Sequence, residues 1–529
     1  MGLSPRLLRP KASGGFSPRS ISGLALWLDS SDSSTLFQDS AGTVPATATS
    51  DPVGYWGDKS GSGRHATQTT AASRPTLATA AVNGRTAVAV DGAGKRIGNA
   101  TNVPLSGGAS LFIVVQRTAN SDSGIHSFSS ASAQTNHHPF GTDYYDSFAS
   151  ITRHQWSQPY RTDTHLYAVV AGTGWNAYIN GANVRSVASH TLFQQTTSWG
   201  QWIGSNGSSS ALGRYCEVLA YPSALSAPDR QRIERYLAAK WGITLAPVVT
   251  NADAQDWVNR VYSNGGTVSA STANAVNTFC NDIDAAGIRG RFYRLNLFCG
   301  TADASLIAVR TPLYRGPSLA GTQYGNTLDT NVNFAITDYA ETGASGGLTG
   351  NGSSRYLQTG VRGDQLPAGF EADCHLSVYR RTAGNGQTLI SSYYYNTVTT
   401  TDRHNYEITQ DTNCILGRET GAFTPAGAAY PRFNIPTRSS STSMFSYVNG
   451  VAGPEFTTAT AGVATGVPFT VFCRNLVTGA PPAVGGYAPT FYSSSTLGSY
   501  SIGRSMSASQ VTDYTNAINA FMSALGRNV

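Results

Sequence analysis

The apolar positions of this chain fall mostly in short runs rich in Val, Ile, Tyr and Phe. Examples are SLFIVVQR (110–117), HLYAVVA (165–171), GRYCEVLAY (213–221), HLSVYRR (375–381), HNYEITQ (404–410) and PFTVFCR (468–474). Each run is bounded by Gly, Asn, Pro or Ser clusters, and that pattern predicts β-strands joined by turns. Helical spacing is confined to a few places. In 226–242, Ser226 is placed to cap, Asp229 closes a capping box, Ile233, Leu237 and Trp241 make one stripe, and Gly242 supplies a left-handed stop. In 507–526, Ser507 and Gln510 form the box, Val511, Tyr514, Ile518, Phe521 and Leu525 form the stripe, and Gly526 ends it. Residues 252–263 and 272–286 read as a helical hairpin, with Trp257, Val258, Val261 and Tyr262 on one member and Ala275, Val276, Phe279 and Ile283 on the other.

The pattern also repeats. VDGAGKRIG (90–98) parallels TGNGSSRYLQTG (349–360), FIVVQRTAN (112–120) parallels LSVYRRTAG (376–384), and AYINGA (177–182) parallels SYVNGV (446–451). Asn-Gly after alternating strand residues is a strong hairpin signal, because both central turn positions need positive φ. Two strand-rich blocks of similar order, each closed by a capped amphipathic helix, predict a duplicated, mainly β architecture of two tandem antiparallel sandwiches. The boundaries read as an arm over 1–20, a first sandwich over 21–245, a linker and helical hairpin over 246–300, and a second sandwich over 301–529.

Composition agrees with this reading. Hydrophobic residues make up 40% of the 529, but charged residues only 12%, about half the usual share, and polarity comes from 56 Gly, 26 Tyr and abundant Ser, Thr and Asn. That disfavours bundles, coiled coils and charged disordered chains. The net charge of +6 is spread thinly, with no Lys/Arg-rich run, so no nucleic-acid partner is indicated. The longest apolar runs are far too short to span a bilayer, and the first twenty residues lack the apolar segment of a secretory signal. The cysteines (Cys216, Cys280, Cys299, Cys374, Cys414, Cys473) make no zinc spacing and read as scattered thiols, with a Cys280–Cys299 bridge as the alternative.

ISGLALWLDSSDSSTLF (21–37), YWGDKSGSGRHATQ (55–68) and RPTL (74–77) resemble the openings of concanavalin A-like, laminin-G-type jelly rolls. The specific part is Trp56, Asp58, Lys59, Ser60, Gly61, Gly63, His65 and Ala66, and 221–243 is similar to the same family's closing helix. The arm running into Leu24–Asp29 looks like the start of tailed-bacteriophage virion proteins that carry such domains. The resemblance implies a two-sheet sandwich that binds glycans or adheres to surfaces. It does not imply catalysis. Laminin-G-type folds often hold one Ca²⁺ on loop oxygens; the pairs Asp29/Asp32 and Asp143/Asp146 are the places to look, and ordinary Asp-rich turns are the alternative. No other cofactor is expected.

Candidate chemistry is sparse. Glucanases on this fold alternate acids along one strand; here Glu371-Ala372-Asp373 is followed by Leu376 where a second Glu should stand, and no serine elbow, zincin motif or P-loop occurs. No enzyme is expected. Sugar recognition needs flat rings beside planar hydrogen-bonding groups. Two segments offer them: Phe140, Asp143, Tyr144, Tyr145 and Trp156 in the first block, and Tyr393, Tyr394, Tyr395, Asp402 and Arg403 in the second. The competing reading, alternate Tyr packing the core, stays open. Arg6, Leu7, Leu8, Arg9 and Lys11, without any acid, read as a docking arm. The expected protein is a non-enzymatic phage virion component, in a tail fibre, baseplate or capsid decoration. It would attach to other virion proteins by its arm and present glycan-binding loops to host polysaccharide, with homotrimers or a symmetric vertex supplying avidity. The alternatives are a ligand-free decoration protein and a glycan-active enzyme or its binding module.

Overall fold

The structure is a computed structural model that describes residues 16–99, 101–128, 136–193, 201–207, 209–384, 387–395, 403–409, 414–418, 430–457, 466–478 and 488–527. The arm residues Arg6, Leu7, Leu8, Arg9 and Lys11 lie outside them, as does Asp402. The chain divides after Ala246 into two compact units.

The first unit is built on an eight-stranded antiparallel sheet. Its order is Ala182–Val187, Trp175–Ile179, Thr164–Ala171, Ala109–Arg117, Gly213–Tyr221, Arg85–Val90, Thr76–Val82, with Leu26–Asp29 also paired to Gly213–Tyr221. The second unit repeats the order: Val451–Ala452, Met444–Val448, Arg432–Arg438, Cys374–Arg380, Thr496–Gly503, Gly347–Thr349, Tyr339–Ala340, with Phe292–Asn296 paired to Thr496–Gly503. The hairpin signals fall at the same place in both. Asn180 and Gly181 have φ of 49° and 83°, and Asn449 and Gly450 have φ of 51° and 81°. Each Asn also pairs back to the preceding strand. The Leu166 amide donates to Asn180 Oδ1 at 2.9 Å, and the Phe433 amide donates to Asn449 Oδ1 at 2.7 Å. The duplication is therefore carried by backbone pairing and side-chain bonds alike.

The central strands are buried on both faces, and alternation sorts their side chains. Leu111, Ile113 and Val115 join Tyr167, Val169, Val218 and Ala220 in the inter-sheet core. Phe112 and Val114 point the other way, into a second cluster with Leu166, Ala168, Leu219 and, from helix α1 (Ala227–Trp241), Ile233, Leu237 and Trp241. A β-bulge between Tyr215 and Glu217 adds one residue opposite the Val114–Val115 pair, so Cys216 and Glu217 both fall on the helix side. The inner core is closed by a five-stranded sheet (Trp202–Ile203, Ile97–Asn99, Ala66–Thr67, Tyr55–Trp56, Leu36–Phe37) and by a three-stranded one (His154–Ser157, Asp143–Asp146, His137–Phe140).

In the second unit the facing sheet runs Thr330–Val332, Tyr356–Arg362, Pro468–Val471, Thr388–Tyr395, Arg403–Thr409, Cys414–Arg418, and Arg474–Thr478 pairs in parallel with Thr388–Tyr395. Residues 246–300 do more than connect. Helices α2 (Ala252–Ser263) and α3 (Ala270–Ala285) belong to this unit, and Phe292–Asn296 continues as a strand of its eight-stranded sheet. After the single turn α4 (Ile307–Arg310), the chain ends in α5 (Ala508–Ala524). Tyr514 of α5 meets Phe292 and Phe433 at 4.9 Å, while Phe521 meets Phe279 of α3 at 5.9 Å. The Ser507–Gln510 capping box forms as predicted. All six cysteines are buried free thiols, so the Cys280–Cys299 bridge is not made, and burial pushes Cys280 up to about 12. No helix of the described residues is long and apolar enough to cross a membrane.

Candidate functional site

The best-defined candidate surface is the outward face of the three-stranded sheet in the first unit. Its middle strand, Asp143–Asp146, pairs Tyr144 with Trp156 and Tyr145 with Gln155 on one side, and Tyr145 with His137 on the other. Alternation then divides the predicted set. Tyr144 is 1% exposed and Trp156 7%, their rings 5.8 Å apart in the sandwich core. These two were expected to meet a ligand; the pleat turns them inward, and they carry packing instead. Phe140, Asp143 and Tyr145 do face outward.

Phe140 is 53% exposed, with its ring 6.4 Å from that of Tyr145 and 5.2 Å from His137. The Arg153 guanidinium lies 3.9 Å from the Tyr145 ring centroid and donates to His137 Nδ1 at 2.9 Å. Burial and the Arg153 charge lower the His137 pKa, which keeps the imidazole an acceptor for that bond. Gln155 Nε2 donates to Asp143 Oδ2 at 2.6 Å. Two rings thus stand among a guanidinium, an imidazole, an amide and a carboxylate, all on strands except Arg153, which directly precedes the strand His154–Ser157. Such a surface covers the C–H face of a ring-shaped ligand and bonds its hydroxyls. His137 and Gln155 are not among the ligand residues expected from the sequence. The signal was their odd-numbered parity with Asp143 and Tyr145, once three paired strands are assumed.

The corresponding set in the second unit is divided as well. Tyr394, expected at a ligand, is buried beside Val467. Tyr393 stays half-buried, and Arg474 lies 4.7 Å from its ring and 4.5 Å from the exposed Phe491. Arg474 is held by two 2.9 Å bonds to the buried Glu407, which also accepts from Thr388 Oγ1 at 2.5 Å. The side chains of Tyr395 and Arg403 lie outside the described residues.

The two acid pairs considered for Ca²⁺ do not fit it. Lys59 Nζ bonds both Asp29 (2.9 Å) and Asp32 (2.7 Å), and Lys240 Nζ bonds Asp29 again at 2.7 Å. A cation placed there would sit against two ammonium groups. Asp143 and Asp146 are three residues apart on one strand and point to opposite faces. Asp146 is instead the centre of a buried group that sequence reading missed. Its Oδ2 lies 3.0 Å from His126 Nε2 and 3.4 Å from His138 Nε2 and accepts from Tyr167 at 2.5 Å, while Oδ1 accepts from the Phe148 amide at 2.6 Å. Burial alone would raise the Asp146 carboxyl, but the facing His126 and His138 together outweigh it and the pKa falls. These ligand atoms lie within 4.8 Å of one another, as in a metal site. The other ring nitrogens decide against one. His126 Nδ1 accepts from the Phe128 amide (3.2 Å) and His138 Nδ1 from the Ile125 amide (3.4 Å). Each Nε2 must then carry its proton, whereas a metal-bound imidazole normally donates from its second nitrogen. Through His126, Tyr167 and the Phe148 amide the cluster is a hydrogen-bonded tie across the sandwich, and His138 Nε2 faces the same carboxylate without bonding it.

The motif of residues 56–66 is likewise structural. Asp58 Oδ1 accepts from the Trp27 amide (2.9 Å), and its Oδ2 accepts from Ser60 Oγ (2.8 Å) and the Arg64 amide (2.9 Å). His65 Nδ1 accepts from the Asp58 amide at 3.1 Å, and Trp56 is fully buried. The motif staples its loop to the first strand.

No protein-family model and no curated protein matches the chain. Among solved structures it is similar to the Trypanosoma rangeli sialidase, at 10% identity and TM-score 0.29, over 42% of this chain and 34% of the sialidase. It thus spans about a third of that enzyme's length. It is also similar to the botulinum neurotoxin serotype D binding domain (9% identity, TM-score 0.26, 92% of this chain and 97% of that one). A third likeness is to domains LG4-5 of the mouse laminin α1 chain (11% identity, TM-score 0.24, 76% and 82% covered). At these scores no property passes from them to this chain.

Proposed function

We propose that the protein is a non-enzymatic glycan-binding component of a bacteriophage virion, whose first unit holds sugar on the outward face of residues 137–157. The observation that carries the reading is the exposed Phe140 beside Tyr145, with Asp143 and Gln155 on the same three strands and Arg153 directly ahead of one of them. Rings fixed by strand pairing lose little freedom on binding, so a shallow sugar contact is worth more there than on a mobile loop. The virion setting, attachment through the arm and the host polysaccharide rest on the sequence resemblance alone.

Support for a non-enzymatic role comes from the state of the acids. Asp29 and Glu217 share Lys240, Asp146 faces His126, Asp329 pairs with Arg294 at 2.5 Å, and Glu407 is gripped by Arg474. Retaining or inverting hydrolysis needs two carboxyls facing one open sugar site. These acids are committed to neighbours instead.

The test is a glycan array with the full chain and its Phe140→Ala/Tyr145→Ala variant, with thermal unfolding as a control. The expected result is binding to bacterial surface polysaccharide that drops about tenfold or more in the variant while the unfolding midpoint holds. Binding to no glycan, or equal binding by the variant, would favour the ligand-free decoration reading. Release of reducing ends from a bound polysaccharide would replace the proposal with the enzyme.

A further inference from the structure

A separate feature of the first unit has no part in that surface. Strand Arg85–Val90, helix α1 and the segment at Phe16 border an open surface groove of about 640 Å³ lined by Phe16, Arg85, Arg232, Arg235, Tyr236, Ala239 and Lys240. Positions 232, 235/236 and 239/240 follow helical spacing, so one face of α1 supplies most of the wall. Every charged group in that lining is a cation.

The charges are not equivalent. Lys240 Nζ is consumed by Asp29 and Glu217, at 2.7 Å each, and Tyr236 donates its hydroxyl to Glu217 at 2.9 Å. The acids beneath the groove are thereby covered. Arg85 spends Nε on the Lys240 carbonyl at 2.9 Å, tying the hairpin to the last turn of α1, and its terminal nitrogens remain beyond that bond. Arg232 lies 5.1 Å from the Phe16 ring and only 3.5 Å from the exposed Asp229 carboxylate, a weak surface pairing. Arg235 is exposed and has no ion pair among the described residues. Between these guanidiniums stand two rings, Phe16 and Tyr236, with centroids 6.0 Å apart at 60°.

Guanidinium forks match carboxylates in two-point geometry, and aromatic faces match the C–H face of a sugar ring. A ligand that satisfies both has a ring body with a carboxylate on it. We infer that this cleft is a second binding site, for a uronic-acid-type acidic saccharide. An acidic peptide offers the carboxylate without the ring, and a neutral sugar the ring without the charge. The inference shares its ligand class with the proposed function and rests on that reading in kind, but it uses none of the same residues.

The test is titration calorimetry of the full chain with tetragalacturonate, against maltotetraose and tetraglutamate. The variants are Arg232→Ala/Arg235→Ala, whose side chains are exposed, and Tyr145→Ala. The expected result is tetragalacturonate binding that weakens about tenfold or more in the double variant and with added salt, is unchanged in Tyr145→Ala, and exceeds binding of both other probes. Absence of tetragalacturonate binding, or equal affinity in the double variant, overturns the site. Tetraglutamate bound as tightly overturns the saccharide and leaves a cleft for acidic peptides. Loss of array binding in Phe140→Ala/Tyr145→Ala with intact tetragalacturonate binding separates the two proposals.

Discussion

Asp29 and Glu217 stand opposite each other in the pairing of the strands Leu26–Asp29 and Gly213–Tyr221, and both carboxylates close on the Lys240 ammonium at 2.7 Å. Glu217 also accepts from the Trp27 (2.8 Å) and Trp241 (2.7 Å) indoles. Burial and the Asp29 charge raise the Glu217 carboxyl, whereas Asp29, for which burial is outweighed by Lys240, is lowered. One helix residue therefore neutralises two strands.

Removing that ammonium leaves two buried acids with one exposed-side partner, Lys59. Lys240→Ala is expected to cost about 3–5 kcal/mol, the usual penalty for orphaning a buried charge. Lys59→Ala leaves the buried Asp29 its bond to Lys240 and strips only the more exposed Asp32 of its cation, so it should cost less than half as much. Urea unfolding of both variants measures the difference; equal, small losses would show that α1 is not held by this group.

Parity on the strand Asp143–Asp146 sets a second expectation. Tyr144→Ala should destabilise by about 3–5 kcal/mol through a core cavity, and Tyr145→Ala by less than about 1 kcal/mol. The reverse ranking in thermal melts would mean the strand faces the other way.

Acid should weaken the protein before its carboxylates titrate. Burial holds His138, His165 and His375 at about 4, against an ordinary 6.5. Between those values the unfolded chain binds more protons than the folded one. Stability is therefore complete above pH 6.5 and falls as pH drops toward 4, by up to about 3 kcal/mol per imidazole. Glu234, raised by burial to about 6, works in the opposite sense but over a shorter span, about 2 kcal/mol. The urea midpoint at pH 5 should lie clearly below that at pH 7. An unchanged midpoint would mean the three rings are not buried neutral.

The two Asn-Gly turns should respond alike. A Cβ at Gly181 or Gly450 meets nothing closer than 3.6 Å, so Gly→Ala at either costs only the left-handed backbone, about 1 kcal/mol. A large difference between the two melts would indicate that the hairpins are not equivalent.

Local signals were readable before any coordinates: the Ser507 box, the Gly242 stop, and the paired Asn-Gly turns that betray duplication. Side-chain direction was not. Tyr144 and Tyr145 are chemically identical, and only pairing with Trp156 and Gln155 decides which faces solvent. The repeat itself slips locally. By sequence Arg117 aligns with Arg381, yet the buried guanidinium that donates to the carbonyl two residues on is Arg117 in one unit and Arg380 in the other. Groups assembled from distant segments, such as His126, His138, Asp146 and Tyr167, leave no spacing to read.

The extra residue at Cys216 counts like a gear tooth. Were the ladder regular through the same letters, everything from Glu217 onward would rotate half a pleat, sending an acid into the oily interior and Val218 and Ala220 out beneath α1. Deleting the Cys216 codon would erase the bulge yet keep Glu217 opposite Val114 and each later residue on its present side, whereas losing one codon beyond it would turn the rest of the strand over.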